Sequence, residues 1–428
     1  MSKTVALHTL GCKLNFSETA TIGNQFIEKG FRVVDFSEKA DVYIINTCTV
    51  TENAEKECRQ IARRALRKNP NAFLAVTGCY AQLRPEQISF ISGVDAVVGS
   101  NEKFKLFSLF ENFEKKELSC IHVSPTESLN EFNFASSNES AGRTRAFYKI
   151  QDGCDYKCTY CTIPAARGES RSVGIEQTLE GFNELLRKDF HEIILTGVNV
   201  GDYGKKINTN LHHLLKNLAE AKGNFRIRIS SIEPNLLTDE IIELTLQNEK
   251  MCRHFHIPLQ SGSSKILRAM QRRYNSDFFR DLIIKLNNKI PNIGIGIDVI
   301  VGFPGETNED FLTTYEFLRD LPVSYLHVFT YSERPDTKAI LLNDSVDIVE
   351  RKKRNNMLRI LSVKKKNEFY QSNVGRVAEI IFEHENTNGF MFGWTSNYVR
   401  IKAKYDKSLI NKIIKLTIKD FDGEFCTV

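Results

Sequence analysis

Residues 145–161 read Arg-Ala-Phe-Tyr-Lys-Ile-Gln-Asp-Gly-Cys-Asp-Tyr-Lys-Cys-Thr-Tyr-Cys, and this stretch decides the fold of the central region. The apolar run Ala146–Gln151 has strand character and feeds a loop in which Cys154, Cys158 and Cys161 stand at C-x3-C-x2-C spacing. Three thiolates in one compact loop can ligate three irons of a cubane 4Fe–4S cluster and leave the fourth iron open. An open iron can be chelated by the amino and carboxylate groups of S-adenosylmethionine, whose sulfonium is then cleaved by one electron to a carbon radical. Zinc is the competing occupant. It usually draws on two cysteine pairs or a nearby histidine, and no His lies in this loop.

Outward from the loop the alternation continues. Glu192–Thr196, Arg226–Ser230, His254–Ile257, Gly294–Val301 and Tyr325–Phe329 are further strand candidates. Helical stretches separate them, among them Gln177–Arg187, Leu236–Leu246, Phe278–Lys289 and Asn308–Leu318. Six such units predict an open (β/α)6 barrel, shorter than the eightfold form, with its ligand site at the carboxyl ends of the strands. Gly197 and Asn199 stand in one strand-end turn, and glycine there permits close backbone approach to a ligand. Glu233, Gln260, Arg273 and Asp298 lie at or beyond other strand ends, and Tyr160 is in the cysteine loop itself. All seven are candidate contacts to S-adenosylmethionine, with structural ion pairing as the alternative for each charged one.

Upstream, Thr4–Thr9, Val42–Thr47, Phe73–Thr77 and Ala96–Val98 alternate with helical patterns at Ser17–Lys29, Ala54–Arg67 and Pro85–Ile91. That is the pattern of a doubly wound parallel α/β sheet. Cys12, Cys48 and Cys79 each follow a different one of these strands. Sites in open parallel sheets form outside the carboxyl ends of the strands, so these three can converge on a second cluster. Unrelated buried thiols are the other reading. Cys58, Cys120, Cys252 and Cys426 show no such arrangement and read as packing or surface thiols. The polar stretch Ser124–Gly142 predicts a linker between the two regions.

A chain of 428 residues has room for two or three domains. With 41% hydrophobic and 26% charged residues it has a globular composition, which excludes a disordered protein. No stretch approaches the roughly 20 apolar residues that cross a bilayer, and the first residues lack a signal-like apolar core. A cytoplasmic location is expected, and there ten cysteines favour metal chemistry over disulfides. The net charge of +5 is unevenly placed: residues 351–428 hold 16 Lys+Arg against 8 Asp+Glu. A basic tail points to a polyanion, nucleic acid first. Within it a charged helix, Ile348–Tyr370, precedes strand-like runs at Arg376–Phe382, Tyr398–Lys404 and Ile413–Ile418, predicting a small all-β barrel. Phe390, Phe392, Trp394 and Tyr398 followed by Arg400, Lys402 and Lys404 suit base stacking beside phosphate contacts, or else a barrel core with a charged exterior.

Taken together, HTLGCKLNFSET, INTCTVTENAEKECRQ, VTGCYAQ, KIQDGCDYKCTYCTIPAARGESRS, RISSIEP, HIPLQSGS and GIDVIVGFPGET resemble the methylthiotransferase family of radical S-adenosylmethionine enzymes. The resemblance runs over essentially the whole chain. It implies an N-terminal methylthiotransferase domain over 1–123, a linker over 124–142, a radical barrel over 143–365 and an RNA-gripping TRAM domain over 366–428. It implies two 4Fe–4S clusters, an auxiliary one on Cys12, Cys48 and Cys79 and the S-adenosylmethionine-binding one on Cys154, Cys158 and Cys161. TLGCKLN, KIQDGCDYKCTYC and LHVFTYSERP are most similar to the branch acting on threonylcarbamoyladenosine 3′ of the anticodon in tRNA. Sister branches act on isopentenyladenosine in tRNA or on a ribosomal-protein aspartate. Ala165, Thr330 and Asp336 stand where the branch usually carries an aromatic, Pro and Gly. The implied reaction uses S-adenosylmethionine twice, once to methylate sulfur and once to generate the radical that activates C2 of the adenine. Implied partners are the tRNA anticodon loop, a reducing electron donor such as flavodoxin or ferredoxin, and a sulfur donor, with no membrane. From a different class, the competing reading is a metal-stabilised RNA-binding protein without catalysis.

Overall fold

The structure, a computed structural model, describes residues 2–49, 52–137 and 144–428. In the N-terminal region the apolar runs form β1 (Thr4–Thr9), β2 (Arg32–Val34), β3 (Val42–Thr47), β4 (Phe73–Gly78), β5 (Ala96–Val98) and β6 (Cys120–His122). These pair in parallel in the order β2-β1-β3-β4-β5-β6. Strands β3 and β4 are buried along their whole length, as expected of parallel strands covered on both faces. Cover comes from α1 (Lys13–Glu28), α2 (Glu52–Lys68), α3 (Cys79–Leu83), α4 (Pro85–Ser89) and α5 (Leu106–Leu109). The sequence reading finds only four of the six strands. The two edge strands are three residues long and mostly part-exposed, so they carry no hydrophobic signature.

Six more parallel strands follow: β7 (Arg145–Lys149), β8 (Glu192–Thr196), β9 (Arg226–Ile229), β10 (His254–His256), β11 (Gly294–Val301) and β12 (Tyr325–Thr330). They make two three-stranded sheets, β7-β8-β9 and β10-β11-β12, linked by the isolated bridge Ile227–Met251. Their outer faces are covered by α7 (Ile175–Arg187), α8 (Leu211–Glu220), α9 (Asp239–Gln247), α10 (Ser264–Ala269), α11 (Ser276–Lys289) and α12 (Asn308–Asp320), while the short α6 (Ile163–Arg167) packs on α3 beside the first sheet. Alternation sets the facing. On β11, Ile297, Val299 and Val301 pack outward into the helices, while Asp298 and Ile300 stay partly open to the lumen.

The expected linker does not hang free where it is described. Leu129 and Ala135 are buried, Lys149 N–H donates to the Ala135 carbonyl at 2.9 Å, and Ser136 bridges Tyr148. Two apolar side chains and a few backbone bonds suffice to strap a polar segment along β7. Residues 138–142 of the expected linker lie outside the described residues.

Helix α13 (Ile348–Gln371) connects the barrel to the last sheet. Its buried positions include Arg351, Arg354, Leu358, Leu361 and Lys365, one helical face spaced by three and four residues. The cations on that face are satisfied internally. Arg354 pairs with Glu306 at 3.1 Å, and Lys365 Nζ donates to the Arg319 and Leu321 carbonyls at 3.0 and 2.7 Å. Strands β13 (Val377–Phe382), β14 (Phe390–Thr395), β15 (Arg400–Lys404), β16 (Ile413–Thr417), β17 (Asp420–Phe421) and β18 (Cys426–Thr427) then form one curled sheet in the order β16-β13-β14-β15-β18-β17. Ile380, Phe382, Met391, Val399 and Ile401 fill its core.

Trp394 belongs neither to that core nor to a free stacking platform. Its ring stacks on Tyr398 at 4.3 Å, with the Arg400 and Arg145 guanidinium groups 4.7 and 5.0 Å away. Buried Arg226 and Arg228 donate from the barrel to the Trp394 and Thr395 carbonyls at 2.8 and 3.0 Å. Both arginines also pair with Glu192, whose burial opposes ionisation but whose arginine neighbours hold it well below the usual carboxylate range. Because Trp394 is the only tryptophan, its emission reports the docking of this sheet. Arg228→Ala leaves Glu192 to Arg226 but strips the Thr395 and Ser396 carbonyls of their donor, and is expected to cost about 1–3 kcal/mol. A red-shifted tryptophan emission together with a lowered Tm is the expected result; unchanged emission and melting would assign the docking to other contacts.

Candidate active site

The three N-terminal cysteines leave the sheet at one edge because β1, β3 and β4 end level. Leu10 N–H donates to the Asn46 carbonyl at 2.8 Å, and Thr47 is the register partner of Gly78. Cys12 stands at the N-cap of α1, Cys48 follows β3 directly, and Cys79 opens α3. Two glycines let these turns close on one another. A Cβ at Gly11, φ +103°, would lie 2.7 Å from the Cys48 Cβ, and one at Gly78, φ +97°, would lie 2.4 Å from the Thr47 carbonyl oxygen. Asn15 then ties two of the turns, donating to the Leu10 and Thr47 carbonyls at 2.8 and 3.0 Å.

The second triad is held by the turn after β7. Cys154 N–H donates to the Gly168 carbonyl, and Thr159 N–H to the Met270 carbonyl across the barrel mouth, at 3.0 and 3.1 Å. Arg272 donates to the Cys158 sulfur at 3.2 Å and is ion-paired with Glu233. Burial pushes the Cys154 and Cys161 thiols up to about 12, and raises Cys158 and Cys79 as well, although Arg272 and Arg167 respectively oppose it.

Three free thiols at each place are the donor set that three irons of a cubane take. A tetrahedral zinc with Zn–S near 2.3 Å needs sulfurs roughly 3.8 Å apart. Among the described residues, only His256, Asp298 and His327 bring three ligand atoms all within 4.8 Å of one another. Among the described residues neither triad brings its three sulfurs to the spacing of a single ion.

Between the triads lies a buried charge network. Arg167, on α6 just after the second triad, donates to the Cys79 sulfur at 3.2 Å and to Asn15 Oδ1 at 2.6 Å. Its guanidinium also pairs with Glu18 and Asp152, each at 3.0 Å. Lys103 and Lys149 complete Glu18 at 2.7 and 3.1 Å, and Arg171 reaches Asp152 at 3.1 Å. Burial works against the Glu18 charge, yet Arg167, Lys103 and Lys149 hold it well below the ordinary range. Burial brings the Lys103 ammonium down to about 8.

A cavity of about 220 Å³ opens beside the second triad, lined by Tyr160, Cys161, Gln260, Asp298, Ile300 and Phe329. Tyr160, Gln260 and Asp298, three of the seven candidate contacts, thus share one wall. Gln260 takes φ +72°, its N–H held by the Asp298 carbonyl at 2.8 Å. Asp298 is flanked by His256 at 3.1 Å and His327 at 3.5 Å. Gly197 and Asn199 sit on the opposite sheet against Gln151, whose Oε1 accepts the Asn199 N–H at 2.8 Å. Glu233 is turned to Arg272, while Arg273 is exposed and lies over the Tyr156 ring at 3.8 Å. Arg167, Arg272 and Gln151 escape sequence reasoning. Gln151 and Arg167 stand close to the cysteine loop in sequence and Arg272 stands beside Arg273, and that adjacency is the whole of their signal.

Residues 4–99 match the Uncharacterized protein family UPF0004, and residues 148–318 match the Radical SAM superfamily. The chain is 41% identical over 421 residues to the threonylcarbamoyladenosine tRNA methylthiotransferase MtaB of Bacillus subtilis, covering 97% of this chain and 93% of that protein. The chain belongs to the radical S-adenosylmethionine methylthiotransferase family. The MtaB of Aquifex aeolicus is 39% identical, covering 97% of this chain and all of that protein. In fold the chain is similar to the radical S-adenosylmethionine methyltransferase TsrM of Kitasatospora setae, at TM-score 0.56 and 14% identity over 79% of this chain and 74% of that one. Enzymes of this family use 4Fe–4S clusters and S-adenosylmethionine. Among the described residues no helix is long and apolar enough to cross a membrane.

Proposed function

We propose that this enzyme converts threonylcarbamoyladenosine 3′ of the tRNA anticodon into its 2-methylthio derivative. One observation carries the reading: two cysteine triads, each at the carboxyl ends of parallel strands, are linked by a buried network in which Arg167 donates to the Cys79 sulfur and pairs with Asp152, two residues before Cys154. When bound, the clusters supply one-electron cleavage of S-adenosylmethionine and the sulfur that is transferred. The chain's own residues place the reactants. Tyr160, Gln260 and Asp298 line the cavity that takes the nucleoside end of S-adenosylmethionine, and Gly197, Asn199, Glu233 and Arg273, outside that cavity, are the further contacts. Glu233 acts through Arg272, which it orients toward Cys158.

The adenine reaches this mouth by leaving its stack in the anticodon loop, at a cost of roughly a few kcal/mol. On the last sheet Phe390, Phe392 and Lys402 form an aromatic and basic face, with the Lys402 ammonium 4.9 Å from the Phe390 ring, suited to gripping the rest of the tRNA. A low-potential electron donor such as flavodoxin or ferredoxin and a sulfur donor complete the cycle in the cytoplasm.

Mass spectrometry of tRNA nucleosides from a strain lacking the gene tests the reading. The expected result is loss of 2-methylthio-threonylcarbamoyladenosine with accumulation of its unthiolated precursor. Loss of the methylthio form of isopentenyladenosine instead would transfer the enzyme to the sister branch. No change in either nucleoside would leave RNA binding without this chemistry.

A further inference from the structure

We infer that Arg167 is a positioning residue for the auxiliary cluster, donating an N–H···S bond to the Cys79 ligand and supplying the positive charge that sets the cluster's reduction potential. This rests on the assignment of Cys12, Cys48 and Cys79 to that cluster.

Four cations, Lys103, Lys149, Arg167 and Arg171, surround two carboxylates, Glu18 and Asp152. The first three cations and Glu18 are fully buried. A buried surplus of positive charge is costly unless an anion answers it. Arg171 meets part of the surplus through the Glu131 and Arg167 carbonyls, at 2.8 and 2.6 Å. Arg167 has one donor left after its two carboxylates and Asn15, and that Nε–H points at the Cys79 sulfur, 3.2 Å away. A cubane held by three thiolates is an anion, and it completes the ledger where a neutral thiol does not.

Geometry adds specificity. Through Asn15, Arg167 reaches the turns that bear Cys12 and Cys48, so one side chain touches the framework of all three ligands. It enters from the other half of the molecule, six residues after Cys161, and Gly168 beside it accepts the Cys154 N–H. Arg167 thereby fixes one cluster's ligand loops against the other's. Hydrogen bonds to cluster sulfurs, together with local charge, are among the determinants of cluster potential, and both favour the reduced, more negative state.

The test uses the full chain with Cys154, Cys158 and Cys161 replaced by Ala, so that only the auxiliary cluster remains to be read. Iron and sulfide content and an EPR-monitored redox titration are compared for this parent and for Arg167→Gln, Arg167→Lys and Arg171→Gln. In Arg167→Gln the reduced-to-oxidised ratio at fixed ambient potential is expected to fall at least tenfold, a one-electron shift of about 59 mV. Arg167→Lys should fall less, and Arg171→Gln, which touches no sulfur and is partly met by two carbonyls, should fall least. A fully loaded Arg167→Gln with unchanged potential overturns the proposal and leaves Arg167 a tie between domains. If Arg167→Gln loses its iron, the titration of Arg167→Lys decides, and an unchanged potential there overturns the proposal equally. A parent without iron would instead sink the auxiliary-cluster assignment, and the proposal with it.

Discussion

Replacing Cys158 by Ala is expected to abolish reductive cleavage of S-adenosylmethionine. The loop then offers two thiolates to a cluster that needs three, and the freed Arg272 keeps its ion pair with Glu233 but loses its sulfur partner at 3.2 Å. Loss of an outer-sphere partner alone costs about 10–100-fold, so loss of a ligand should exceed about 100-fold in the rate of 5′-deoxyadenosine formation. Iron should fall by about four atoms per chain, one cubane's worth. The fold should survive, because the barrel core is built from Leu195, Ile229, Ile257, Ile297 and their neighbours, away from the loop. A variant that still makes 5′-deoxyadenosine at the parental rate would remove Cys154, Cys158 and Cys161 from the radical site.

Cys48→Ala should separate the two halves of the reaction. Its sulfur lies 2.9 Å from where a side chain at Gly11 would begin, inside the convergence of the three turns, and its loss should leave Cys12 and Cys79 unable to hold a cluster. The loop at Cys154–Cys161 belongs to a different sheet and keeps its backbone bonds to Gly168 and Met270. Cleavage of S-adenosylmethionine should therefore persist within about twofold, whereas methylthiolated tRNA should fall below detection, an effect of the same order as losing any metal ligand. Parallel assays of 5′-deoxyadenosine and of modified nucleoside check both arms. Full methylthiolation by this variant would reduce the N-terminal cysteines to packed thiols.

The expectations about the three parts of the chain differ in how they met the structure. Strands such as Val42–Thr47 and Glu192–Thr196 appear with the limits read from their apolar runs, because a strand buried on both faces leaves an unbroken apolar signature. Phe390–Thr395, which the sequence marks only by its aromatics, is a strand whose Met391, Gly393 and Thr395 turn inward. Trp394 was open to two readings and took a third, wedged against Arg145 and Arg400 where the last sheet meets the barrel.

What the sequence determined by itself is local chemistry and local period. The C-x3-C-x2-C loop carries its own ligand set within eight residues, and the alternation of strands and helices specifies parallel sheets with sites at their carboxyl ends. Tertiary structure alone decided what lies between the sites. Glu18, Lys103, Asp152 and Arg167 come from four separate segments, and nothing in their spacing distinguishes them from the solvated charges around them. Buried ion pairs form only where packing removes water from both partners, and that is a property of two surfaces meeting. The same holds for Arg272 and Arg273: adjacent in sequence and identical in type, they are separated only by which way the backbone turns each one, toward the Cys158 sulfur or out over Tyr156.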